Sequence, residues 1–167
     1  KGVIKLLNIF KEKVNIDIKV IIAGDQFGYT KKYLKNNYVK NLIKNKKLKL
    51  ITGWQNEIDE AKLFYCADTI WIGYENYPFP SGVLYQSVAA NKPPIVSKNG
   101  FIYYLNKKYN IGYESNIDDT KGLIDTILQI KKEPNNIKLR NKIKYFRNIS
   151  KPENWVKNFR RLLFKKN

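Results

Sequence analysis

A chain of 167 residues suits one domain with a sizeable core, and 43% apolar with 14% aromatic residues excludes a disordered chain. A net charge of +18 implies attraction to polyanions, whether nucleotide, anionic lipid or nucleic acid. With no histidine there is no Ser-His-Asp triad, HExxH zinc site or imidazole base, and the single Cys66 excludes an internal disulfide framework and favours a reducing, cytoplasmic setting.

In chain order, Lys1 to Lys13 reads as a helix, with Val3, Ile4, Leu6, Leu7 and Phe10 at helical spacing. Ile16 to Ala23 reads as a strand ending at Gly24-Asp25. Thr30 to Lys46 follows as a helix with Leu34, Tyr38, Leu42 and Ile43 inward. Leu48 to Thr52 is a strand, and Gly53-Trp54 a turn. Asn56 caps a helix carrying Ile58, Ala61, Phe64 and Tyr65, with Asp59 placed three residues on, like a capping box. Asp68 to Gly73 is β-branched and aromatic, as a buried strand requires. Glu75 to Pro80 continues neither strand nor helix, because Pro78 and Pro80 fix φ and remove two donors.

From Ser81 the helical pattern resumes with Val83, Leu84, Val88 and Ala89, until Pro93-Pro94 ends it and Ile95-Val96 opens another strand. Phe101 to Leu105 is expected as a short helix, and Ile111 to Tyr113 as a brief edge element. Asp118 is expected to cap the helix of Leu123, Ile124, Ile127 and Leu128. The remainder reads as helical, from about Asn136 to Asn148 and from Pro152 to Lys166, the second start marked by the capping box Ser150 to Glu153. No window is apolar enough to span a membrane, and no Walker loop or GxGxxG is present.

Strands alternating with helices imply right-handed βαβ units and a parallel sheet covered on both faces, with ligands outside the carboxyl ends of the strands. That edge holds Gly24 to Gly28, Gly53-Trp54, Glu75 to Gly82 and Ser97 to Gly100. A helix start at Ser81-Gly82 offers amide donors and a partial positive charge; spacing leaves an ordinary capped helix and a phosphate site both open. Such a sheet normally begins with a strand, so a first strand is expected ahead of Lys1.

Two acid-free runs carry much of the charge: eight lysines between Lys31 and Lys49, and a second group from Lys138 to Lys151. The same lysines equally suit solvated helix faces in a chain rich in Lys, Asn and Ile.

Several segments, taken in order, resemble a known family. They are Lys1-Gly2-Val3 before an apolar helix, Ala23-Gly24, Gly53-Trp54, Tyr65 to Asp68, Ser81-Gly82-Val83-Leu84, Ala89 to Ser97, and Asn99-Gly100. In this collinear set the chain resembles the C-terminal domain of GT-B fold, family 4-like glycosyltransferases (glycosyl transferases group 1). The resemblance implies a Rossmann-like three-layer α/β/α domain over residues 1–167, with a helical C-terminal tail. It implies a role in holding a nucleotide-diphosphate sugar for transfer to a glycan or lipid-linked acceptor, the acceptor being brought by an N-terminal domain of the same protein.

By the same resemblance, Lys1 and the amides of Ser81, Gly82 and Val83 would meet the diphosphate. Gly24, Gly53, Trp54 and Gln86 would meet the nucleoside, and Glu75, Tyr77, Pro78 and Phe79 would face the sugar. No metal or cofactor is implied. A retaining enzyme of polysaccharide biosynthesis is implied, cytoplasmic or peripheral at an anionic inner membrane surface, and inactive as this piece alone.

The family's paired glutamates correspond to Pro78 and Gln86, and the arginine of its preceding strand is not in the chain. Glu75 stands three residues early, and Gln86 keeps the ability to hydrogen-bond ribose without the charge. Two other readings stay open: a basic nucleic-acid-binding module, for which no recognition element emerges, and a catalytically silent, glycosyltransferase-like interaction domain. In the tail, Trp155, Phe159, Leu162 and Leu163 form an apolar stripe opposite Lys157, Arg160, Arg161 and Lys165. Packing on this domain or its neighbour is the expected role; an interfacial membrane helix is the alternative.

Overall fold

The computed structural model describes residues 2–12, 16–154, 156 and 157. It shows α1 (Val3–Leu7) running into a 3-10 turn (Asn8–Lys11), then β1 (Val20–Ala23), α2 (Gly28–Leu34), α3 (Asn37–Lys44), β2 (Leu48–Ile51) and α4 (Glu57–Cys66). The second half holds β3 (Ile70–Ile72), α5 (Gly82–Ala89), β4 (Pro94–Ser97), α6 (Gly100–Tyr109), β5 (Tyr113–Ser115), α7 (Thr120–Lys132) and α8 (Ile137–Ile149). All strand pairs are parallel: β1 with β2, β3 with β4, and β4 with β5. The parallel α/β alternation expected from the sequence is therefore present. Among the described residues no hydrogen-bonded pairing joins β1 to β3.

Strand β4 is buried along its whole length, and its successive residues feed two different cores. Ile95 joins Leu7, Ile9, Val20, Val39, Leu48, Leu123 and Ile127 on one face, where α1, α3 and α7 pack. Val96 joins Ile72, Leu84, Val88, Ile102, Ile111, Ile143 and Phe146 on the other, covered by α5, α6 and α8. The two-residue period of a strand makes this division automatic. Each fully buried aliphatic side chain contributes about 1.5–3 kcal/mol, so β4 is the best-anchored strand.

Several elements depart from expectation for local reasons. The helix foreseen from Thr30 to Lys46 breaks in two, because the Asn36 side chain accepts from the Val39 amide at 2.8 Å and starts α3 afresh. The first helix tightens into the 3-10 turn at Asn8 while keeping Ile9 buried. Only Val20–Ala23 of the foreseen longer strand pairs, since its partner begins at Leu48. Asp119, not Asp118, caps α7, accepting from the Gly122 amide at 2.9 Å. The helix after Asn99 runs ten residues instead of five, to Tyr109.

Asn56 does cap α4 in a reciprocal box: it accepts from the Asp59 amide and donates to the Asp59 carboxylate. Its apolar residues find little to pack against among the described residues. No residue of α4 is buried, and Ile58 and Tyr65 remain 69% and 64% exposed. Among the described residues, little covers the sheet face beside β1, where Ile21 and Ala23 are also exposed.

Among the described residues no helix is long and apolar enough to cross a membrane. The stripe of Trp155, Phe159, Leu162 and Leu163 lies outside the described residues.

Candidate functional site

Strand β3 delivers the chain to the carboxyl edge of the sheet, and the segment that follows is tied down from several sides. The Ser97 hydroxyl, at the end of neighbouring β4, donates to the Tyr74 carbonyl. The buried Tyr74 phenol shares a hydrogen bond with the Ser81 hydroxyl at 3.2 Å. Asn76 adopts a left-handed turn (φ 45°), which an Asn side chain tolerates. The Phe101 amide, in the first turn of α6, then donates to the Tyr77 carbonyl at 3.3 Å. Edge-to-face aromatic contacts run Tyr74–Tyr77–Phe79, with centroids 5.0 and 5.8 Å apart. Pro78, Phe79 and Pro80 stay exposed.

Helix α5 begins directly after this loop. Leu84, Ser87 and Val88 are buried and fix its position. Ser81 is the N-cap residue, but its hydroxyl makes no cap bond and goes to Tyr74 instead. Ser81 therefore gives no side-chain cap, and its carbonyl accepts from the Leu84 amide at 3.1 Å. The Gly82 and Val83 amides, in the first turn, have no carbonyl a turn upstream to bond. Gly82 is exposed, and a Cβ built there would meet nothing within 4 Å, so a ligand atom can come up to the backbone. The helix end adds a partial positive charge at the same place.

Tyr74, Glu75, Tyr77, Ser81, Gly82, Val83 and Gln86 together line an open cleft of about 550 Å³. The sequence singled out all of these except Tyr74. Its signal was present but weak: a lone aromatic residue between the strand and the proline-containing loop. Lys5 was missed as well. Its Nζ lies 3.0 Å from Glu75 Oε1 and also bonds the Asp118 carboxylate. These contacts, Asp118 first and Glu75 second, hold the Lys5 ammonium above the ordinary lysine range. Nothing in the local sequence indicates a link across that separation.

Other singled-out residues lie elsewhere. Gly24 and Gly53 sit at the carboxyl ends of the paired strands β1 and β2, where the Gly24 amide donates to the Ile51 carbonyl at 3.0 Å. Each loop folds back on a glutamine: Gln26 donates to the Gly24 carbonyl and Gln55 to the Gly53 carbonyl. Trp54 projects from its turn at 90% exposure. None of these residues lines the cleft beside α5. Lys1 lies outside the described residues. A second hollow, of about 240 Å³, is lined by Asp68, Pro93, Lys131, Glu133 and Arg140 among others. It opens at the amino ends of β3 and β4, away from the helix-start amides.

The cleft beside α5 thus combines directed amide donors, hydroxyls, a carboxamide and a carboxylate in an open, aromatic-walled space. That set suits an anionic group attached to a polyhydroxylated one.

The family model described as "Glycosyl transferases group 1" matches residues 1–148. No curated protein sequence matches the chain. The structure of Anabaena Alr3699/HepE in complex with UDP-glucose superimposes with a TM-score of 0.70 at 17% identity, over 89% of this chain and 40% of that one. The same protein in complex with UDP gives 0.69 at 17%, with the same coverage. A glycosyltransferase from Rickettsia africae ESF-5 gives 0.68 at 15%, over 99% of this chain and 45% of that one. At such identities the likeness is one of fold, and the chain spans less than half the length of these structures.

Proposed function

The chain belongs to the glycosyl transferases group 1 family, and on that premise we propose that it forms the donor-binding half of an enzyme that transfers a sugar from a nucleotide diphosphate. Its fold is the Rossmann-like one of the C-terminal half of a GT-B glycosyltransferase. One observation carries the proposal: the start of α5 is open at Gly82 and shares one cleft with Glu75, Tyr77 and Gln86.

In this reading the pyrophosphate lies against the Gly82 and Val83 amides, where the helix end favours an anion. The Ser81 amide and Lys1 would add donors. The sugar faces Glu75, Tyr77, Pro78 and Phe79. Gln86, one turn along α5, reaches the ribose hydroxyls, and the base extends toward the edge formed by Gly24, Gly53 and Trp54. As the glycosidic bond breaks, charge gathers on the leaving diphosphate, and amides already aimed at it stabilise that charge without rearranging. Retention of configuration, a glycan or lipid-linked acceptor supplied by a separate N-terminal domain, and action at an anionic inner membrane surface belong to the same proposal. No metal is invoked, and residues 1–167 act as one domain that has no transfer activity alone.

Solved neighbours of this fold hold UDP and UDP-glucose, which supports a nucleotide-sugar donor here. A thermal-shift series with UDP, GDP, ADP and their sugars tests it. One nucleotide should raise the melting midpoint with concentration, as binding to the native state requires. No response to any of them, or a response that Gly82→Pro leaves unchanged, overturns the assignment.

Pro78, exposed in the loop where the family has a carboxylate, favours a second reading: a member that binds the donor but transfers nothing. Donor hydrolysis or transfer by the longer protein separates the two.

A further inference from the structure

The ammonium of Lys5 reaches a group that walls the cleft, and we propose that Lys5 is a positioning residue for donor recognition. With Asp118 as its anchor, it holds the Glu75 carboxylate ready to accept a hydrogen bond from a hydroxyl of the donor's sugar. The inference rests on the donor reading above and adds to it how the sugar is recognised.

Lys5 comes to this place through the packing of α1. Gly2 adopts a left-handed conformation (φ 61°), and a Cβ there would overlap the Gly73 carbonyl oxygen. Glycine thus lets the start of α1 lie against the carboxyl end of β3. Leu6 and Leu7 are buried and fix the rotation of the helix. The Lys5 side chain, 30% exposed, then meets two carboxylates: its Nζ lies 3.0 Å from Glu75 Oε1 and also bonds Asp118 Oδ1.

The chain has 32 basic and 14 acidic residues, so no surplus of acid drives two carboxylates onto one ammonium. Asp118 is itself fixed just ahead of α7, its amide donating to Asn116 Oδ1 at 3.1 Å. Glu75 is held at the backbone on either side: the Tyr74 carbonyl accepts from the Ser97 hydroxyl, and the Tyr77 carbonyl from the Phe101 amide. What is left to set is the direction of its side chain, and Lys5 sets it through Oε1. The other carboxylate oxygen keeps lone pairs for a hydroxyl. Glu75 lines the same cleft as Gly82, so a sugar attached to a diphosphate at the helix start lies within its reach. A side chain ordered before the ligand arrives loses less conformational entropy on binding.

Calorimetry on the 167-residue chain tests this with three pairs: UDP and UDP-glucose, GDP and GDP-mannose, ADP and ADP-glucose. The readout is the ratio of the two affinities, sugar derivative to bare diphosphate, for the pair that binds. Glu75→Gln and Lys5→Gln should each lower that ratio about three- to tenfold, as loss of one oriented hydrogen bond does. Affinity for the bare diphosphate should stay within about twofold, because only an exposed ion pair is lost. Asp118→Asn should act in the same direction by less, and Lys5→Arg should keep the ratio. The double variant Lys5→Gln/Glu75→Gln should be no worse than Glu75→Gln alone, since the two residues act through one carboxylate. A merely structural role for Lys5 would weaken both ligands together and leave the ratio unchanged, which overturns the proposal. So would additive losses in the double variant. A ratio that Glu75→Gln does not change, or one near unity in the parent chain, overturns it while the donor reading stands. Binding of none of the three diphosphates removes the donor reading, and this inference with it.

Discussion

Lys5 and Glu75 stand 3.0 Å apart, Nζ to Oε1, joining the first helix to the loop that walls the cleft. The same ammonium bonds Asp118 at the entrance to α7, so one half-buried lysine ties together segments far apart in sequence. Its raised pKa keeps that tie charged beyond the ordinary lysine range as pH rises. Exposed ion pairs contribute little to folding, however. Lys5→Gln should therefore leave the melting midpoint nearly unchanged while amide exchange across residues 75–80 accelerates. A large fall in the midpoint with no change in exchange would contradict this.

Gly82→Pro isolates one amide. Ser81 is extended (φ −122°, ψ 127°), the conformation a following proline requires, and Gly82 occupies the first helical position, where proline is favoured. The fold should persist by circular dichroism. Affinity for the donor nucleotide, measured by calorimetry, should fall about tenfold or more, the magnitude of one hydrogen bond to a charged group.

Gln86 is a smaller case. Gln86→Ala should weaken nucleotide affinity about three- to tenfold, with the melting midpoint unchanged, because a neutral hydrogen bond contributes roughly 0.5–1.5 kcal/mol. Gln86→Glu, which supplies a charge-assisted acceptor, should bind at least as tightly as the parent chain. Equal affinities for all three would place the ribose elsewhere.

Tyr38 reports on the core side of α1. Its hydroxyl donates to the Leu7 carbonyl at 2.9 Å, and burial first, then neighbouring Tyr33, pushes the phenol up to about 12. A phenol of the unfolded chain ionises near 10, so the unfolded state loses its proton earlier as pH rises. The stabilisation is complete below about pH 10 and disappears as pH passes through 12. Ultraviolet titration should show late-ionising phenol absorbance, and Tyr38→Phe should remove the part of it near pH 12.

Gly73→Ala should destabilise by about 1–3 kcal/mol, because the new methyl would lie 2.0 Å from Cζ2 of the Trp71 indole. Chemical denaturation measures it. A neutral result would mean that the indole can swing away.

Much of the site was legible because its signals are local. Pro78 and Pro80 stop regular structure, Ser81-Gly82 starts a helix, and Pro93-Pro94 leads into a strand; each acts through its own backbone. The resemblance supplied the roles, which no spacing could. What escaped was decided at a distance. Asp118 and Asp119 compete for one cap, and Lys5, brought near by the packing of α1, engages the first. Tyr74 and Ser81 meet only after the loop has closed. The exposure of α4 was not legible either: Ile58, Ala61 and Tyr65 have a helical period but, among the described residues, little surface against them. Periodicity shows which side of a helix can be buried, not what is there to bury it.

The loop beside the cleft is moored at Tyr74 by Ser97, at Glu75 by Lys5 and at Tyr77 by Phe101; among the described residues, Pro78, Phe79 and Pro80 have no such polar mooring. Its backbone is thus rigid through the stretch that frames the opening, and variety is cheapest at its tip. A descendant of this chain could trade one ligand for another by exchanging the side chains at 78 and 79. The frame that presents them would not have to be rebuilt.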